Sequence, residues 1–254
     1  MASLALYWSV MIACYLLASR LRRYADRLGF VNTLLSVSVY ALVFVMGLRM
    51  GANREVTDNL GVIGVQALLV TALTMAFSML GAFAVRRALH IDRNALPRGA
   101  EKTAAMPSAA AHADASGSKT SLIIFAMVAG SLLAGVVYSL LSPMTLREGL
   151  AISAGFGWYT LAPSVISGAG HAVAGAVSFL HNVLRETLGI ILLPLAASKI
   201  GCIEAVTLPG TCAMDVCLPI VERSCSAETL PYSFTTGMAA CLFSALLVPL
   251  IMGA

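Results

Sequence analysis

Apolar stretches recur along this chain at close to the roughly 20 residues needed to cross about 30 Å of hydrocarbon. Their positions are about 4–18, 31–48, 60–85, 121–141, 151–170, 171–197, 211–224 and 232–252. Of the 254 residues, 59% are apolar and only 11% charged, whereas a soluble domain carries about a quarter charged residues. The expected fold is therefore all-α: a polytopic integral membrane protein of about eight helical segments, some of them discontinuous. Three regions follow, a three-span membrane region over 1–85, a flexible linker over 86–120, and a second membrane region over 121–254.

Charge sets the expected orientation. Arg20, Arg22, Arg23 and Arg27 directly follow the first apolar stretch, and Arg86, Arg87, Arg93, Arg98, Lys102 and Lys119 lie in the linker, so ten of the sixteen Lys and Arg residues fall in two places. By the positive-inside rule both face the cytoplasm and the N-terminus lies outside. A first stretch with its positive charges after it is the reverse of a secretory signal peptide. The linker run MPSAAAHADASGSK has the composition of a disordered tether and lacks the interleaved aromatics of a nucleic-acid stacking surface, so no nucleic-acid partner is expected.

Two acids, Glu186 and Asp215, fall inside stretches that otherwise read as membrane-spanning. An acid at the bilayer centre costs about 2.5–3.5 kcal/mol on insertion scales, so such residues face a cavity, a pathway or a partner. In the sixth segment Gly175, Ser178, Asn182, Glu186 and Gly189 recur at steps of three and four, which aligns them on one helical face. Arg185 is rotated about 100 degrees from Glu186 on a helix of that period, so the neighbours need not pair. It is free to face a substrate carboxylate or another acid. The alternative is a polar network that only locks helices together.

Backbone regularity is interrupted twice. Residues 151–170 read AISAGFGWYTLAPSVISGAG, with Gly155 and Gly157 around Trp158 and Tyr159 and with Pro163 following. Broken backbone at membrane depth must line a cavity or be buried in protein; a packed helix with small residues at its interface is the alternative. The seventh segment, TCAMDVCLPIVERS, follows the break at Leu208, Pro209 and Gly210 and is interrupted again at Pro219. Thr211 can cap its start, and Asp215 lies one turn later. Transporters build midplane sites from such interrupted helices. The segment is read as crossing the membrane, which gives eight spans and places Glu222 and Arg223 in the cytoplasm; a hairpin that turns back is the alternative.

The six cysteines, Cys14, Cys202, Cys212, Cys217, Cys225 and Cys241, have no metal-site spacing, and buried thiols behave as small hydrophobes. A Cys202 to Cys225 disulfide is disfavoured if the intervening segment crosses the bilayer. No GxSxG, HExxH or Walker-type signature occurs, so neither an enzyme nor an ATP-driven pump is expected, and no metal or cofactor.

The runs SAGFGWYTL (153–161), FLHNVLRETLGIILLP (179–194) and GTCAMDVCLPIVER (210–223), in that order, resemble the bacterial lysine exporter LysO family. A weaker similarity extends through SVYALVFVMGLRMG nearer the N-terminus. The resemblance implies export of L-lysine and close basic analogues across the inner membrane, with Glu186 and Asp215 as the family's essential intramembrane acids. Proton antiport is the mechanism these two acids suggest, with Asn182, Arg185, Trp158 and Tyr159 shaping the pocket. Longer members of the family carry further spans where this chain has its linker, so a homodimer or partner subunit is a further expectation. Transport of another cation or amino acid, and a non-transporting scaffold or subunit, are the alternatives.

Overall fold

The computed structural model describes residues 51–90, 109–225 and 229–253, together with scattered helical positions between Val37 and Leu48. The chain divides into two units, 1–49 and 50–254, and the second is the subject here. The first expected span, most of the second and the centre of the linker lie outside the described residues.

A short helix α1 (Arg54–Asp58) leads into α2 (Leu60–Ala88) and α3 (Ala109–Leu141). Then come α4 (Leu146–Ser153), α5 (Leu161–Gly168) and α6 (Ala172–Lys199). The chain ends in α7 (Cys202–Thr207), a 3-10 turn (Gly210–Met214), α8 (Leu218–Ser224) and α9 (Leu230–Met252). The described residues are thus all-helical, as expected. Helix α3 begins at Ala109, inside the stretch whose composition marks it as a tether.

Among the described residues, four helical stretches are long and apolar enough to cross a membrane: Leu60–Ala88, Ser121–Leu141, Ala172–Lys199 and Leu230–Met252. Each corresponds to an expected span to within a few residues. Their outward faces carry apolar side chains such as Val65, Phe125, Leu133, Ile191, Leu242 and Leu246. Their inward faces bury Thr71, Ser78, Ser131, His181, Asn182, Arg185 and Thr236. Apolar outside and hydrogen-bonded polar groups inside is the arrangement a lipid solvent imposes. Helices α2 and α3 pack backbone to backbone, since a Cβ on Gly130 would stand 2.4 Å from the Phe77 carbonyl oxygen.

The fifth and seventh segments do not cross; this is the main correction to the sequence reading. Each is two short helices, of eight and eight residues in α4 and α5 and of six and seven in α7 and α8. At 1.5 Å per residue each helix reaches only about 9–12 Å. The ends of each segment meet. His171, which follows α5, has its Nδ1 2.8 Å from Oε1 of Glu148 in the first turn of α4. Cys225, which follows α8, hydrogen-bonds Cys202 at the start of α7. Residues 146–170 and 202–225 are therefore hairpins that return to the side they left.

The hairpins enter from opposite sides. The first starts where α3 ends and closes where α6 begins; Arg147 in α4 also donates to the Ile251 carbonyl at the far end of α9 over 2.8 Å. The second starts where α6 ends. There Ile203 packs with Ala82 near the end of α2 and with Ile123 near the start of the apolar part of α3, against Tyr232 at the start of α9. That side is the one from which the linker departs.

Candidate functional site

The tips of the two hairpins touch. The backbone N–H of Thr211 donates to the Phe156 carbonyl over 2.8 Å. Gly157 at φ +100 and Gly210 at φ +67 adopt left-handed backbone, which glycine supplies at no steric cost. Neither position has room for a side chain: a Cβ on Gly210 would meet the Phe156 oxygen at 2.0 Å, and one on Gly157 the Pro209 oxygen at 2.9 Å. The unwound stretches are thus buried in protein, which satisfies the rule for irregular backbone at membrane depth.

Helix α6 holds both tips. Asn182 accepts the Gly157 N–H through Oδ1 at 2.8 Å and donates through Nδ2 to the Ser178 carbonyl at 2.9 Å. Arg185, fully buried, donates through Nε to the Leu208 carbonyl at 3.1 Å and through Nη2 to the Thr207 carbonyl at 3.3 Å. Its other contacts are the hydroxyls of Ser131 at 3.2 Å and Ser78 at 3.3 Å. A guanidinium fork can satisfy several acceptors at once, and here it satisfies carbonyls freed where α7 ends. Asn182 and Arg185, expected to shape a pocket, spend these polar atoms on the protein's own backbone and hydroxyls.

Glu186 lies on the next position of α6 and is only half-buried. It stands 14 residues from Ala172 and 13 from Lys199, about 20 Å from either end of the helix. Its carboxyl interacts with the Cys212 thiol and, electrostatically, with Asp215. Asp215 is exposed, at the exit of the 3-10 turn, with Oδ1 accepting the Val216 N–H at 2.6 Å. Tyr159, half-buried in the tip of the first hairpin, interacts with Glu186, Cys212 and Asp215. Trp158, also half-buried, is tied by its backbone N–H to the Gly155 carbonyl at 2.7 Å.

The fold therefore gathers Glu186, Asp215 and Tyr159 around the meeting point of the hairpins. Two acids and a phenol side by side suit a cation. Two thiols belong to the same neighbourhood, Cys212 and Cys217, the second interacting with both acids. Sequence reading treated them as packing residues, and five-residue spacing gave no sign that a 3-10 turn would bring them beside the acids. Another missed pair is Arg86 and Glu204, whose side chains form a buried ion pair between the last turn of α2 and the first of α7. The available signal was an acid in the apolar run CIEAVT. Among the described residues no group of three or more His, Cys, Asp or Glu side chains could hold a metal ion.

Among the described residues, four long apolar helices around two opposed, broken hairpins define a polytopic helical membrane protein. The chain belongs to the lysine exporter LysO family, whose sequence model matches residues 10–97 and 101–252. It is similar to a candidate lysine exporter of Haemophilus influenzae, with 34% identity over 118 residues, 46% of this chain and 60% of that protein. It is also similar to the lysine exporter LysO of Escherichia coli, with 26% identity over 131 residues, 52% of this chain and 42% of that protein. The matched stretches thus span less than two thirds of either relative's length. No solved structure matches.

Proposed function

We propose that this chain exports L-lysine, and close basic analogues, across the bacterial inner membrane by exchange for protons at Glu186 and Asp215. The observation that carries the reading is the convergence of these two acids, one from a spanning helix and one from a hairpin tip, at half the depth of α6. Family membership supplies the cargo.

Lysine carries two ammonium groups and one carboxylate, a net charge of +1. Moving that charge outward against an inside-negative potential costs about 2.3 kcal/mol per 100 mV, and an inward proton offsets the charge moved. Protons and ammonium groups compete for the same carboxylate oxygens, so one pair of acids can serve both directions. Tyr159 and Trp158 border the cleft. Arg185 and Asn182 act by holding the hairpin tips that form it. The linker faces the cytoplasm and the N-terminus the outside, by the distribution of Lys and Arg.

The test is efflux of labelled L-lysine from proteoliposomes under an imposed proton gradient, comparing the parent with the Glu186→Gln, Asp215→Asn double variant. Gradient-driven efflux that the variant loses is the expected result. Equal efflux from both, with unchanged pH dependence, refutes the acid-centred exchange.

A further inference from the structure

At the base of each hairpin a carboxylate meets a basic side chain. Glu148 is the third residue of α4 and meets His171; Glu204 is the third residue of α7 and meets Arg86. Each carboxylate thus ties the first turn of a hairpin to a neighbouring element, and the pairs stand at opposite ends of the bundle.

The Arg86 pair is the more enclosed, with side-chain exposures of 10% for Arg86 and 0% for Glu204. The Arg86 guanidinium also stands 5.3 Å over the Phe83 ring, a cation–π contact that fixes it toward α7. Yet among the described residues Glu204 is incompletely satisfied: its Oε2 is buried and has no hydrogen-bond partner there. A buried carboxylate with an empty acceptor costs the closed state free energy that hydration would return. That combination, a strong contact on one oxygen and a deficit on the other, suits a contact that is made and broken.

We propose that Arg86 and Glu204 form a latch that closes the linker-side approach to the acid site. Behind this pair the second hairpin packs on α2 and α6 through Met75, Leu193, Ala205, Val206 and Cys217. Cys217 is fully buried and interacts with both site acids. Swinging the hairpin base away from α2 would uncover Cys217 and open a path from the linker side to Glu186 and Asp215. Arg86 and Glu204 are positioning residues, holding the hairpin and not the cargo. The latch takes its purpose from the transport reading, but its opening can be measured with no substrate present.

The experiment uses the full chain in proteoliposomes with Cys217 retained and Cys14, Cys202, Cys212, Cys225 and Cys241 replaced by Ser. The rate of Cys217 modification by a membrane-impermeant maleimide is read separately from each face, with and without Glu204→Gln. Loss of a buried charge pair shifts the opening equilibrium, so the linker-side rate is expected to rise about tenfold or more and the opposite-side rate to stay at the parental value. Arg86→Lys, which keeps a cation, gives an intermediate rise and serves if the Glu204 variant does not fold. Parental rates in whichever variants fold, or a rise from the opposite face as large as that from the linker side, overturn the latch. Either result leaves lysine efflux by the parent unaffected as a test of cargo.

Discussion

Asn182→Ala separates a residue that lines a pocket from one that builds it. In the parent the Asn182 carboxamide accepts the Gly157 N–H at 2.8 Å, and Gly157 lies in the buried tip of the first hairpin. Truncation leaves that N–H without its acceptor. An orphaned buried donor costs about 1–3 kcal/mol, so a loss of about 2 kcal/mol is expected. For a domain of 150–250 residues that corresponds to about 4–8 °C in melting temperature. The assay is thermal unfolding in detergent, followed by efflux measurements at saturating and limiting lysine. A backbone anchor predicts lower stability and a lower maximal rate, because the tip that carries Tyr159 is no longer held beside Glu186. A variant that melts with the parent but needs far more lysine would refute this reasoning and return Asn182 to the cargo.

Arg185→Gln is expected to reduce efflux of lysine and of its decarboxylated diamine by the same factor, since Arg185 holds the Thr207 and Leu208 carbonyls; selective loss of lysine alone would show that the guanidinium binds the substrate carboxylate. Gly210→Ala should destabilise the chain by more than about 1 kcal/mol, because alanine is incompatible with positive φ and the added Cβ meets the Phe156 oxygen at 2.0 Å; melting of the purified protein reads it. Glu148 lies outside the four spanning helices. Burial pushes its carboxyl up, but hydrogen bonds from Thr145 and His171 outweigh that and hold it below its ordinary value of 4.5. A carboxyl depressed in the folded state stabilises above its unfolded pKa and loses that contribution as pH falls through the folded value. Parent and Glu148→Gln should therefore differ in melting temperature at pH 6 and converge toward pH 3; a difference that grows on acidification would contradict the assignment.

The four long spans of the described residues were legible because apolar length is a local property, and the ends of α2, α6 and α9 lie within a few residues of the sequence reading. The polar stripe of α6 was equally legible, since Ser178, Asn182, Glu186 and Gly189 follow the helical period. What the stripe touches was not. Asn182 and Arg185 meet backbone some 25 positions away, and no periodicity in α6 reveals where the chain before or after it is unwound. Glu204 lies between the sixth and seventh apolar stretches, and only the fold of the second hairpin brings that carboxylate against Arg86.

The direction of the broken segments has a consequence beyond the site. A crossing fifth segment and a crossing seventh segment would each reverse the chain once, so making both into hairpins removes two reversals together. The final helix α9 then keeps its direction, and Glu222 and Arg223 stay on the linker side, where the eight-span reading had placed them. Helix α6 alone is inverted, which carries Lys199 to the linker side with them. Charge counting could not detect the error, because the loops it weighs are nearly neutral and the two mistakes cancel at the C-terminus. The inversion also explains why the hairpins can meet: one enters beside the start of α6 and the other beside its end, so their tips converge on the middle of that helix. That is where Glu186 stands.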